Sequence, residues 1–421
     1  MSEFDTLKFF SDEALIIDPY TYYADQRSRC PVNFDPQQRL MALTGYDAAM
    51  SVYRDVEGFS ACNSVIGPFS GLPFEPSGDD ITDQIKQHRD QMPLSDYMPT
   101  MDPPRHAEVR GLLSKLMTPR RLKENEAFMW TLADRTLDGF VDAGKCEFVG
   151  QYARPSALLV IADLLGVPAE DHPAFLEYLE GQYNGLSENQ TFEHNPFEFL
   201  ENQFSAYIED RRREPRGDVL TQLAQAKYPN GSTPEVIELV HHATFMFVAG
   251  QETTSKLLTF AIQLLGERPE MQQQLRDDPS LIPNFIEELL RLESPIKSHF
   301  RLASKTTTIA GVRIPAGTTI MMLPGAANRD PAHFTDPDEF RIDRPNVREH
   351  VAFGRGIHTC PGAPLARVQA CVSLERALSR MADIRISEEH HGPADARRYT
   401  YEKPFMMRGL TELHIEFTPV S

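Results

Sequence analysis

The chain has 421 residues, enough for a large buried core, and sets 42 Lys and Arg against 61 Asp and Glu, a formal net charge of −19. Phosphate binding needs clustered Lys and Arg, so this balance argues against a nucleic-acid footprint and mainly favours solubility. The scattered cysteines Cys30, Cys62, Cys146, Cys360 and Cys371 form an odd set, which reads as reduced thiols of a cytoplasmic protein rather than a disulfide framework.

The N-terminal stretch MSEFDTLKFFSDEALIIDPY is interrupted by charges. No later segment offers about 18 uninterrupted apolar residues, so neither a signal peptide nor a membrane anchor is expected. RLMALTGYDAAMSVYRD reads as a strand, a glycine turn and a short amphipathic helix. Residues 61–101 carry repeated Pro and Gly, which forbid long regular elements and predict a long mobile loop. DPPRHAEVRGLLSKLM then starts a helix, with Asp102 as candidate N-cap.

The longest predicted element is the helix over 233–266, in STPEVIELVHHATFMFVAGQETTSKLLTFAIQLLGERP. Ser232 or Thr233 would cap it, Pro234 suits its first turn, and Gly266 with Pro269 ends it. At 1.5 Å per residue it would span about 48 Å, so it should cross a core. Another helix follows between Pro283 and Pro295, and strands are expected in TTTIAGVRIPAGTTIMML and LTELHIEFTP. With no internal repeat or linker, the element count predicts a mainly α fold with minor β, as one domain over 1–421.

Cys360 stands out in VAFGRGIHTCPGAPLAR, just before a helix-forming run within 351–381. A thiolate is favoured at a helix N-terminus, Gly354, Gly356 and Gly362 would let backbone N–H groups approach the sulfur, and Phe353 could shield it. The plain alternative is a buried cysteine in a glycine-rich turn. Zinc is disfavoured, because no second Cys or His pair stands at zinc-site spacing.

The run from Phe353 to Arg367 resembles the haem-thiolate signature of the cytochrome P450 family. The resemblance extends over residues 15–418. Glu288 and Arg291 match the family's Glu-x-x-Arg, with Arg344 similar to the third member of its buried cluster. Residues 249–254, AGQETT, resemble its oxygen-activation motif, which makes Glu252 and Thr253 the acid and alcohol that deliver protons. Ala249 and Gly250 would leave room for O2.

The resemblance implies haem b with its iron ligated by Cys360, set between the central helix and the helix after Cys360. Phe353, Gly362 and Ala249 would border it, with His106, Arg110, Arg301 and His358 as partners of its propionates. By position the substrate pocket would be lined by the 61–101 loop, Phe245, Val248, Ala249, the segment from Ile296 to Phe300, Phe405 and Met406, which favours a lipophilic substrate.

The expected function is hydroxylation with O2 by a monomeric cytoplasmic enzyme. A separate ferredoxin and its NAD(P)H-dependent reductase would supply electrons, docking on a basic patch of Arg110, Arg120, Arg121 and Arg355. The rival functions are a haem-thiolate peroxygenase and a non-enzymatic haem-binding sensor or carrier. Neither would need the acid–alcohol pair.

Overall fold

The computed structural model describes residue 4 and residues 7–114, 117–182, 197–403 and 406–420, and is mainly helical with three small sheets. Its helices include α1 (Tyr46–Arg54), α2 (Arg105–Ser114), α3 (Pro119–Asp138), α4 (Arg154–Leu165), α5 (Glu198–Arg213), α6 (Val236–Glu267), α7 (Ile282–Leu292) and α8 (Ala363–Arg380).

The central helix α6 keeps its expected length but starts later than predicted. Glu235 is its N-cap, in a capping box with Glu238. Ser232 is unavailable because both its N–H and its hydroxyl donate to Oδ1 of Asn230, in a turn. Most of α6 is buried, and it lies close against α4 because residue 250 has no side chain: a Cβ there would come within 3.1 Å of Ile161 Cγ1. Gly250 therefore serves helix packing at least as much as any space for a ligand. Phe175, Phe204 and Phe247 are fully buried beside it in the main core.

Residues 61–101 are tied down rather than loose. They carry a short helix, Thr82–Gln87, and single turns at Arg89–Gln91 and Met98–Thr100. Nη2 of Arg89 donates to the carbonyls of Ser95 at 3.0 Å and Thr100 at 2.6 Å. Ile81, Ile85 and Met92 give the segment its own small core with Cys62 and Leu302. Asp102 does not cap α2. Its carboxylate turns back to accept from Ser60 Oγ at 2.5 Å and Ala61 N at 2.7 Å, closing the loop at its base.

The largest sheet has the order β1-β2-β8-β5-β3, made of β1 (Val32–Asp35), β2 (Leu40–Leu43), β3 (Phe59–Ser60), β5 (His299–Ala303) and β8 (Thr319–Met322). Its β2–β8 pair is parallel, with Leu40 opposite Thr319 and Leu43 opposite Met322. β6 (Thr307–Ile309) and β7 (Val312–Ile314) form a separate hairpin. Its turn residues Ala310 and Gly311 both have positive φ, the geometry that matches the twist of paired strands. β4 (Lys145–Glu147), β10 (His414–Pro419) and β9 (Met381–Ile386) form the third sheet in that order. No helix among the described residues is long and apolar enough to cross a membrane.

Candidate active site

Between α6 and the start of α8 lies a cavity of about 480 Å³ with a mostly apolar wall. Cys360 is the one cysteine on that wall among the described residues. Its backbone N–H donates to Phe353 O at 2.8 Å, closing a tight loop. Gly354 and Gly356 have φ of +64° and +72°, left-handed values that favour glycine. At Gly356 a Cβ would lie 2.3 Å from the carbonyl oxygen of Tyr53, so this glycine lets the loop press on the end of α1. Burial pushes the Cys360 thiol up, while the N–H groups of Gly362 and Ala363 and the charges of Arg110 and Arg367 favour the thiolate.

A polar cluster lines one edge of the cavity. Arg110, Arg301 and His358 reach the wall, and His106 lies just behind it, its ring centroid 4.1 Å from that of His358. Nε2 of His106 and Nη1 of Arg110 are buried with no hydrogen-bond partner among the described residues, and Nη1 of Arg301 bonds only its neighbour's carbonyl. Burial and the nearby arginines hold His106 down to about 4 and His358 to about 2. Buried donors without acceptors on a mostly apolar wall suit a flat apolar group bearing carboxylates, and the thiol on the same wall suits its metal. The residues present therefore fit haem.

Sequence reasoning missed Tyr53 on the same wall, and reached His299 only as part of the segment from Ile296 to Phe300. Tyr53 Oη and His299 Nδ1 are 2.6 Å apart, and burial with Arg301 nearby holds His299 down to about 3. The signal was present: His299 and Arg301 are two apart in β5, so they share a face. Tyr178 and Phe197, also missed, line the cavity together with Tyr97 of the expected 61–101 segment. Tyr97 donates to Glu201 of α5 at 2.6 Å and stacks on His241 of α6 at 5.0 Å, joining the 61–101 segment to two helices.

Phe245, Val248, Ala249, Ile296, Phe300 and Met406 all line the cavity, as expected. Phe405 lies outside the described residues. Glu252 and Thr253 are also on the wall, and the Thr253 hydroxyl donates to Ala249 O at 2.9 Å, one turn back along α6.

Glu288, Arg291 and Arg344 come together with almost no exposure. Glu288 accepts from Nε and Nη2 of Arg291 at 2.8 Å each, and from Nε of Arg344 at 3.0 and 3.1 Å. Both guanidiniums also donate to carbonyls of residues 328–339, including Asn328 and Glu339. Asn328 in turn accepts the N–H of Val351 at 2.7 Å, which ties the cluster to the Cys360 loop. A second buried anchor was missed: Glu287 accepts from Arg367 and from His350, and Arg367 lies over the Phe353 ring at 4.7 Å. Burial pushes the Glu287 carboxyl up, but those hydrogen bonds outweigh it and bring it to about 2.

The four arginines expected to form a basic patch have different surroundings. Arg110 turns into the cavity, Arg355 donates to the carbonyls of Arg348 and His350, and Arg120 and Arg121 are both paired with Glu124.

A helical fold with a thiol and buried arginine and histidine donors on the wall of one mostly apolar cavity defines a haem-thiolate protein. The chain belongs to the cytochrome P450 family. The family model described as Cytochrome P450 matches residues 171–382. The structure of the Mycobacterium marinum cytochrome P450 CYP150A6 in its substrate-free form is 58% identical over 100% of both chains, with a TM-score of 0.93. The steroid C26-monooxygenase of Mycobacterium tuberculosis strain H37Rv is 30% identical over 94% of this chain and 93% of its own. The mycinamicin IV hydroxylase/epoxidase of Micromonospora griseorubida is 38% identical over 68% of this chain and 72% of its own. The protein is a cytochrome P450 monooxygenase, with haem b held through a cysteine thiolate.

Proposed function

We propose that this monooxygenase hydroxylates a lipophilic small molecule, with Cys360 as the thiolate ligand and electrons supplied by a separate ferredoxin and its NAD(P)H-dependent reductase. When bound, the haem supplies oxygen activation and transfer to carbon. The chain's own residues do the rest. His106, Arg110, Arg301 and His358 offer donors to its propionates. Phe245, Val248, Ile296, Phe300 and Met406 exclude water and present the substrate by shape. The aromatic residues on the wall and the steroid C26-monooxygenase among the relatives support a large, flat, apolar substrate such as a steroid or terpenoid.

The observation that carries the reading is the adjacent acid and alcohol on the wall of a mostly apolar cavity. Glu252 takes protons from solvent, and the Thr253 hydroxyl, anchored on Ala249 O, holds a hydrogen-bonding position over the site. A peroxygenase or a haem carrier has no use for this pair.

The test is product formed per NAD(P)H consumed, with hydrogen peroxide assayed alongside. Thr253→Ala should bind substrate and accept electrons yet divert them to peroxide, because only the local placement of the proton is lost. Glu252→Gln should instead slow NAD(P)H consumption, by about 100-fold if it is the proton source. Unchanged coupling and rate in both variants would reject the assignment. Candidate substrates are screened by the shift they induce in the Soret band.

A further inference from the structure

Glu252 has a neighbour that the acid–alcohol reading does not use. Lys256, one turn further along α6, is only 4% exposed in its side chain and sits between two carboxylates. Its Nζ is 2.6 Å from Oε2 of Glu402 and 3.9 Å from Oε1 of Glu252. Glu402 Oε1 also takes Nη2 of Arg154 at 3.2 Å, so among the described residues the ammonium is paired with Glu402 and Glu252, and Arg154 shares the first of them. The backbone is shaped for this lysine. A Cβ on residue 409 would fall 2.5 Å from Lys256 Cγ, and Glu402 N–H donates to Gly409 O, so the backbone at Gly409 lies against the lysine side chain and is tied to Glu402. Met406, between them in sequence, lines the cavity.

A buried ammonium needs a carboxylate at all times, because leaving it unpaired is costly. Here one cation serves two acids, with Glu402 in contact and Glu252 at the edge of contact. Weakening one partner must strengthen the other.

We propose that Lys256 is the positioning residue for Glu252: shared with Glu402, it sets how far the Glu252 carboxylate is drawn along the helix and how freely it turns to the cavity. With Glu402 ionised, Lys256 is held away and Glu252 is free to turn. Without that charge, Lys256 closes on Glu252 and withdraws it. The inference rests on the reading of Glu252 as the proton source.

The experiment uses the haem-loaded protein and three variants: Glu402→Gln, Lys256→Met and the double variant. Glu402→Gln should lower NAD(P)H oxidation about tenfold, and adding Lys256→Met should bring it back to within about twofold of the parent, because the withdrawing cation is gone. A merely structural role would make the double variant no better than the worse single one, and that result overturns the proposal. The C–O stretching band of the ferrous CO form reads the field in the cavity without turnover. It should shift in opposite directions in the two single variants, and a shift in the same direction also overturns the proposal. If Lys256→Met fails to load haem, Lys256→Gln removes the charge while keeping a donor for Glu402. Opposite band shifts together with an unaffected rate in Glu252→Gln would uphold the positioning and reject Glu252 as the proton source.

Discussion

Arg291 makes five hydrogen bonds from a site with no exposure, two to Glu288 and one each to the carbonyls of Asn328, Pro337 and Glu339. Arg291→Ala would remove all five bonds at once and leave Glu288 to Arg344 and the N–H of Arg341, a loss of about 3–5 kcal/mol. Because Asn328 also holds Val351, the damage should reach the Cys360 loop, and the expected outcome is little haem-loaded protein. Haem content per folded protein checks it, and normal loading would show the cluster to be dispensable. Cys360 allows a sharper test. Cys360→Ser should abolish the CO-difference band characteristic of thiolate-ligated haem, whereas Cys371→Ser, in α8 but off the cavity wall, should keep it. Loss of the band from Cys371→Ser alone would overturn the assignment of the ligand.

The helices show where sequence reasoning reaches and where it stops. The existence and length of α6 were legible, since a long apolar run with clear end signals has few alternatives. Its first turn was not, because Glu235 and Glu238 cap it reciprocally while Ser232, the better capping residue in isolation, is taken by Asn230. Asp102 failed for the same reason: a side chain with two possible partners obeys the tertiary one.

A second feature of α6 has a measurable effect. His242 has no exposure, neither ring nitrogen has a partner among the described residues, and burial, with Arg105 and His241 adding to it, holds it down to about 3. The folded protein keeps this ring neutral, while the unfolded chain protonates it near its ordinary value of about 6.5. Its contribution is therefore fully present above about 6.5 and falls as the pH drops from there toward about 3. Going from pH 7 to pH 5 should cost about 2 kcal/mol through this group alone. His242→Leu should lower that pH sensitivity by a similar amount, which urea unfolding at the two pH values would measure. An unaltered difference would mean that His242 finds a proton acceptor in the fold.

At the scale of the whole molecule, the motif residues were legible because each carries chemistry that few other residues could supply. Tyr53, Tyr178 and Phe197 were not, because an aromatic side chain reads the same on a cavity wall as in a core. The carbonyls of residues 328–339 that hold Arg291 and Arg344 were invisible for another reason: any residue type provides them, and only the path of the backbone aims them.

The parallel pairing of β2 with β8 bears on the order in which the protein is made. Residues 40–43 emerge from the ribosome early, yet the strand they must lie beside, residues 319–322, appears only after about three quarters of the chain has been synthesised. During that interval β2 has β1 as its sole sheet partner among the described strands, leaving one edge of the hairpin open. The nascent chain thus carries an unsealed strand through most of translation, and its vulnerability to aggregation is set by how long that edge waits.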